Sequence, residues 1–100
     1  MTNHVKFEST VAGGALDLVI FDIEGVQVSA GPLSIKYEKN IDDGSLDVLY
    51  KIGGPNGTTY KITYSCTNNN VIRTDPGNPS PINGTIDHFG GTMEKLSIPL

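Results

Sequence analysis

Apolar and polar residues alternate along most of the chain, and this period of two is typical of half-buried β-strands. Val5 and Phe7 begin the pattern, and Ser9 and Val11 continue it on the same side of an extended chain. We therefore predict a first strand over residues 5–11 whose odd-numbered side chains face a core.

The most apolar segment covers residues 16–24, and its pattern is less regular. Every second residue from Leu16 to Ile20 is apolar, and the apolar positions then move to Phe21 and Ile23. This change of side predicts either a β-bulge near Ile20 or a strand that is covered on both faces.

Two clearer alternating segments flank a glycine-rich turn. Even-numbered apolar residues recur over 46–52 and again over 60–66, and residues 53–57 read Gly-Gly-Pro-Asn-Gly. Strands joined by such a turn commonly pair with one another. We therefore predict a β-hairpin over residues 46–66 that is stabilised by aromatic and β-branched pairs across it.

The remaining segments are shorter. Alternation predicts a strand over residues 34–39, and apolar residues over 96–100 predict a closing strand. Residues 92–95 could instead form one helical turn. Residues 74–84 predict a long loop, because they contain three prolines and proline cannot donate to a sheet ladder.

These elements together predict an all-β fold. No stretch sustains the apolar spacing of an amphipathic helix with a cap and a stop. About seven or eight short strands with frequent turns are typical of a small antiparallel β-sandwich, of the jelly-roll or Ig-like kind. Neither a linker nor a long repeat divides the chain, so residues 1–100 are predicted to form one domain.

Composition narrows the range of partners. The formal net charge is −4, which disfavours general attraction to nucleic acid. No apolar stretch is long enough for a transmembrane helix, and the N-terminus lacks the apolar core of a signal peptide. We therefore expect a soluble protein, either cytoplasmic or the mature form of a secreted one. The single cysteine, Cys66, follows the apolar positions and is interpreted as a buried core thiol.

An acidic segment is the candidate metal site. Oxygen-bearing side chains cluster around the glycine bend at Gly44, and Ca²⁺ prefers six to eight oxygen ligands; the candidate ligands are Asn40, Asp42, Asp43 and Asp47. Their spacing differs from that of an EF-hand loop. The alternative is an ordinary turn in which aspartate caps the bend. The sequence pattern establishes no cofactor, and calcium is the one candidate that it suggests.

The proline-containing loop is the candidate ligand site. Prolines stiffen a loop, so little conformational entropy is lost when it binds. Its polar side chains could meet a protein or a carbohydrate, and we predict that Asp75, Asn78, Ser80 and Asn83 do so. The alternative is a long crossover between two sheets.

Candidate catalytic groups are few. The sequence contains none of the common phosphate-loop, nucleophile-elbow or zinc-protease motifs. His4 and His88 are the only side chains whose unperturbed pKa lies near neutrality. The spacing brings neither of them together with a nucleophile.

Three functions follow as hypotheses. The first is a non-catalytic binding module that recognises a protein or a glycan through polar loops. The second is a self-associating assembly subunit, since sandwiches have free edge strands and Leu49 adds apolar surface opposite the core face. The third is a small enzyme with a site at an oligomer interface, and we expect no catalytic function from the pattern itself.

Overall fold

The computed structural model describes residues 2–14, 16, 18–30, 34–87 and 91–100. Nine strands lie within these ranges. In chain order they are β1 (Asn3–Gly13), β2 (Leu18–Ile23), β3 (Val26–Ala30), β4 (Ser34–Ile41), β5 (Ser45–Gly53), β6 (Thr59–Asn68), β7 (Val71–Arg73), β8 (Ile82–Thr85) and β9 (Thr92–Pro99).

The strands form two antiparallel sheets around a shared core. The first sheet has the order β4-β1-β6-β7, and β8 pairs with another part of β6. The second sheet has the order β3-β2-β5-β9. The predicted all-β sandwich is therefore confirmed, with more strands than the sequence indicated. No helix long and apolar enough to cross a membrane occurs in the described ranges.

The core lies between the sheets and is built by alternate side chains of both. Full burial of a side chain such as Phe7 or Ile62 stabilises the fold by about 1.5–3 kcal/mol. The buried apolar side chains are Val5, Phe7, Val11, Val19, Phe21, Ile23, Ile35, Leu46, Val48, Tyr50, Ile52, Tyr60, Ile62, Tyr64, Cys66, Ile86, Leu96 and Ile98.

The second strand has apolar residues on both faces and an irregular register near Phe21, as its pattern predicted. Val19, Phe21 and Ile23 face the core, whereas Ile20 lies on the outward side. Apolar residues occupy both faces of this strand, so alternation alone could not choose between them. The pairing of β2 with β3 shifts register after Phe21, and the extra residue lies in β3.

The predicted hairpin over residues 46–66 is wrong. Both strands form as expected, but β5 pairs with β2 and β9, while β6 pairs with β1, β7 and β8. Residues 54–58 therefore carry the chain from one sheet to the other. A hairpin and such a crossing bury the same side chains, so the apolar pattern is the same for both.

The C-terminal third contains two further corrections. Residues 82–85 form β8 although they fall largely within the predicted loop, and residues 92–95 belong to β9 rather than to a helical turn. Ile86 is buried outside any strand, where its backbone N–H donates to the Thr58 carbonyl (2.8 Å). Its carbonyl accepts from the N–H of Gly57 (2.7 Å), so both of its backbone groups bond the connection over residues 54–58.

Candidate functional site

Asp75 ties the loop after β7 to the opposite sheet. Its side chain is buried, and Oδ2 accepts a hydrogen bond from the backbone N–H of Ser97 on β9 (2.9 Å). Oδ1 accepts from the N–H of Gly77 (2.9 Å). Burial raises the pKa of the Asp75 carboxyl, but these hydrogen bonds outweigh that effect and the pKa lies below its ordinary value.

Tyr64 on β6 holds the same loop from the core. Its hydroxyl donates to the Asn78 carbonyl (2.6 Å) and accepts from the N–H of Asp75 (3.2 Å). The Tyr64 N–H donates to Oγ of Ser80 (3.0 Å). β6 pairs with β7 over residues 66–68 and with β8 over residues 59–62. Ser80 accepts the backbone N–H of Tyr64, which lies between these two segments.

Three candidate ligand residues of this loop thus make internal hydrogen bonds, of which the Asp75–Ser97 bond joins the two sheets. Asp75, Ser80 and the Asn78 amide, which donates to Asp75 Oδ2 (3.3 Å), all use polar atoms within the chain. A part in ligand binding stays a prediction for them. Asn83 is different, because it lies on β8 with its side chain exposed.

Asn83 lines a groove of about 530 Å³ on the outward side of the first sheet. The strand register sets its central row, in which Lys61 of β6 stands between Ala12 of β1 and Asn83 of β8. The next row pairs Thr59 with Thr85. The residues that line the groove are Ala12, Gly13, Gly14, Thr59, Tyr60, Lys61, Asn83, Gly84 and Thr85.

The polar side chains that line the groove can donate hydrogen bonds, and none of the described lining residues carries a negative charge. Lys61 is the one charged residue among the described residues that line it. The amide of Asn83 both donates and accepts, as do the two threonine hydroxyls. Small residues beside them leave the backbone accessible to a ligand.

Gly84 is required by the packing beneath this groove. It stands directly opposite Tyr60 in the ladder, and a Cβ added at Gly84 would lie 2.3 Å from the tyrosine ring. The Tyr60 ring thus occupies the space that a side chain would take, which fixes the floor of the groove.

A second, smaller depression of about 190 Å³ lies on the same outward face. Lys36, Glu8 and Ser65 form one row across it, and Ser34, Thr10 and Thr63 form the next. The outward face of the first sheet is therefore a surface of hydroxyls and opposite charges in cross-strand pairs.

The acidic segment connects the two sheets, since β4 belongs to the first and β5 to the second. Asn40 is turned toward His4, and Asp47 Oδ1 accepts from Ser97 Oγ (3.3 Å). The Asp43 carbonyl accepts from the Asn3 amide (2.9 Å). In the part of the chain that the structure describes, no three His, Cys, Asp or Glu side chains are grouped to hold a metal. Calcium binding by Asn40, Asp42, Asp43 and Asp47 stays a prediction that calorimetric titration can test.

His4 is held by side-chain hydrogen bonds at the surface, and Cys66 is buried in the core. The His4 ring contacts Asn40 Oδ1 (2.8 Å) and Glu38 Oε2 (2.6 Å) at the surface, and these hydrogen bonds raise the pKa of His4. Burial raises the pKa of the Cys66 thiol to about 11, so it is a poor nucleophile near neutral pH. His88 lies outside the described residues.

Compared with protein-family models, curated proteins and solved structures, the chain has no significant match. Its candidate site is therefore argued from geometry alone. The sequence analysis missed Lys61, Thr59 and Thr85, although alternation places all three on the outward side of their strands. Their proximity depends on the pairing of β6 with β1 and β8, which the sequence pattern did not contain.

Proposed function

We propose that this chain is a non-catalytic binding module that holds a glycan in the groove around Lys61 and Asn83. The observation that supports the proposal is the row of Ala12, Lys61 and Asn83, where two polar side chains stand beside small residues on paired strands. The groove is an open depression of about 530 Å³, so a ligand there would contact the sheet on one side only.

The chemistry of the lining suits sugar hydroxyls. A sugar hydroxyl donates one hydrogen bond and accepts others, and the groove presents an amide, an ammonium group and two hydroxyls within two adjacent rows. The cationic Lys61 would favour a glycan with carboxylate or sulfate groups over a neutral one.

The placement of these groups on strands also favours binding. Lys61 and Thr59 lie on β6, which pairs with β1 on one side and with β8 on the other. The paired sheet fixes the backbone of these residues, so the ordering that binding requires is confined to their side chains.

A glycan array probed with the full chain tests this function. For a glycan that binds, we expect Lys61→Ala and Asn83→Ala each to weaken the affinity at least about tenfold, which corresponds to about 1.4 kcal/mol. Lys51→Ala, on the outward side of the second sheet, and Asn56→Ala, in the connection over residues 54–58, are the matched controls. An array without any binder, or a binder that neither groove variant affects, would contradict the proposal.

The assembly subunit is a second candidate, favoured by apolar side chains on the outward side of the second sheet. Leu18 and Met93 are 38% and 59% exposed, and Ile20 and Leu49 are half-buried on the same side. This apolar face, Leu18, Ile20, Leu49 and Met93, is interrupted by Lys51 between Ile20 and Met93 and by Asp22 and Lys95 on either side of Leu49. In the assembly hypothesis a second copy covers it. Light scattering of Leu49→Lys tests it, since the variant would reduce association if this face is the contact.

A further inference from the structure

The two sides of the sandwich differ in how their edge strands are covered. On one side, Asp75 accepts the N–H of Ser97 on β9, and Ser80 accepts the N–H of Tyr64 on β6. On the other side, within the described part of the chain, β4 pairs with β1 alone. The loop after β7 therefore protects one side, and β4 is the long edge of the first sheet on the other.

The β4 edge has the properties of a pairing strand. It runs over Ser34–Ile41, contains no proline, and keeps an unbroken register with β1 from the Thr10–Ser34 pair to the Asn3–Ile41 pair. Backbone groups on its outer edge have no strand partner among the described residues. Such an edge can accept another extended strand.

The charges on this edge are self-complementary. Lys36 and Glu38 are both exposed on the outward side, one residue before and one residue after Tyr37. Within the chain Lys36 lies opposite Glu8 and Glu38 lies opposite Lys6 on β1, and Glu38 Oε2 also contacts the His4 ring (2.6 Å), so a second copy would add a further partner to each charge. If two copies of β4 pair antiparallel with Tyr37 opposite Tyr37, Lys36 of each copy lies opposite Glu38 of the other. Opposite charges directly across a ladder stabilise the pair, whereas like charges destabilise it.

We propose that β4 pairs antiparallel with β4 of a second copy of this chain, centred on Tyr37, and forms a two-fold dimer whose first sheets are continuous. A single edge lysine commonly opposes such pairing. Here Glu38 supplies the opposite charge at the matching position of the second copy.

The charge pattern also selects the register. A shift by two residues places Glu38 opposite Glu38 in one direction and Lys36 opposite Lys36 in the other, whereas a shift by one aligns outward side chains of one copy with core-side positions of the other. In the register centred on Tyr37, Lys39 faces Ile35 and Ser34 faces Asn40, so no like charges meet. A two-fold axis makes both Lys36–Glu38 contacts equivalent.

This inference does not depend on the groove ligand. The groove is formed by β1, β6 and β8, whereas β4 lies on the other side of β1. It also names a surface different from the apolar face of the second sheet, so the two self-association surfaces can be tested separately.

Sedimentation equilibrium of the purified full chain, from micromolar to millimolar concentration, is the test. We expect a dimer, and we expect Lys36→Glu and Glu38→Lys each to weaken dimerisation at least about tenfold. Mixing these two variants should restore dimerisation as a heterodimer, because one copy then carries two glutamates opposite two lysines. Lys39→Glu is the matched control, since it makes the same charge change at a position that faces Ile35.

Within the chain Lys36→Glu lies opposite Glu8 and Glu38→Lys lies opposite Lys6, so the Tm of each variant measures how far the substitution destabilises the monomer. Recovery of the dimer on mixing separates a lost contact between copies from a destabilised fold. A chain that stays monomeric at millimolar concentration overturns the inference. A dimer that is insensitive to both charge variants, or one that only Leu49→Lys dissociates, overturns it as well. Neither result bears on whether the groove binds a glycan.

Discussion

His4 shows how a surface side chain can acquire a preferred charge state from its neighbours. Its two ring nitrogens face two acceptors, Asn40 Oδ1 at 2.8 Å and Glu38 Oε2 at 2.6 Å. Only the imidazolium form can donate to both, because a neutral ring has one N–H. The pKa of His4 is therefore raised by the hydrogen bonds to Asn40 and to Glu38.

This geometry predicts a contribution of His4 to the pH dependence of stability, which a variant without the imidazole lacks. A group whose pKa is raised by folding stabilises the fold fully below its unfolded value of 6.5, and the effect is lost as pH rises through the folded pKa. We expect the Tm to fall from about pH 6 to about pH 8 more steeply in the wild type than in His4→Gln. The two profiles, measured by circular dichroism, isolate His4 because all other titrating groups are shared. Parallel profiles would contradict the assignment.

At the scale of elements, the loop after β7 is hydrogen-bonded to the second sheet through Asp75. Asp75 accepts hydrogen bonds from Ser97 in the second sheet and from Gly77 within the loop. Asp75→Ala removes both acceptors, and we expect the free energy of unfolding to fall by about 1–2 kcal/mol. Urea denaturation measures this, with the exposed Asp42→Ala as the control. An equal loss in both variants would show that Asp75 has no special role.

The same carboxylate predicts an acid dependence of opposite sign to that of His4. The pKa of Asp75 is lowered on folding, so its contribution is present above the ordinary value of 3.8 and is lost as pH falls through the folded pKa. The difference in stability between the wild type and Asp75→Ala should therefore narrow in acid.

The sequence predicted which side chains of a strand face the core better than it predicted which strands pair with each other. Alternation in β1, β4, β5 and β6 placed the inward side chains correctly, because polar residues predominate on the outward face of each strand, with Leu49 of β5 as an exception. It did not indicate which of the two apolar faces of β2 is buried. It also failed to distinguish a hairpin from a crossing at residues 54–58, since both bury the same residues.

The candidate site shows the same limit. Asn83 was predicted from its polar loop context, but its neighbour Lys61 comes from a strand twenty-two positions earlier in the sequence. Asp75, Asn78 and Ser80 were chosen for the same context, and the structure uses their polar atoms in internal hydrogen bonds. Polarity in a loop does not reveal whether a side chain faces water or the opposite sheet.

At the scale of the whole molecule, Cys66 is a reporter of global opening. It is the single cysteine of the chain, and its side chain is 1% exposed between the sheets. Because burial raises its pKa to about 11, both access and thiolate formation limit its reaction. We expect a thiol reagent to label it only as fast as the sandwich opens, with a rate that rises with urea.

The double variant Cys66→Ser, Ser65→Cys is the matched control, because it moves the thiol to the exposed neighbouring position on the outward side of β6. That thiol should react at once in the native protein. Equally fast labelling of Cys66 would contradict its placement in the core.

The crossings after β4 and after β5 have a consequence for synthesis on the ribosome. When the first 53 residues have emerged, β1 and β5 each have one flanking strand and still await β6 and β9. Synthesis from the N-terminus therefore leaves one edge of β1 and one edge of β5 unpaired at the same time. Neither edge finds its partner before β6 and β9 have been made. We expect the nascent chain to be most vulnerable to aggregation in this interval, and a chain that stops short of β9 to remain a substrate for chaperones.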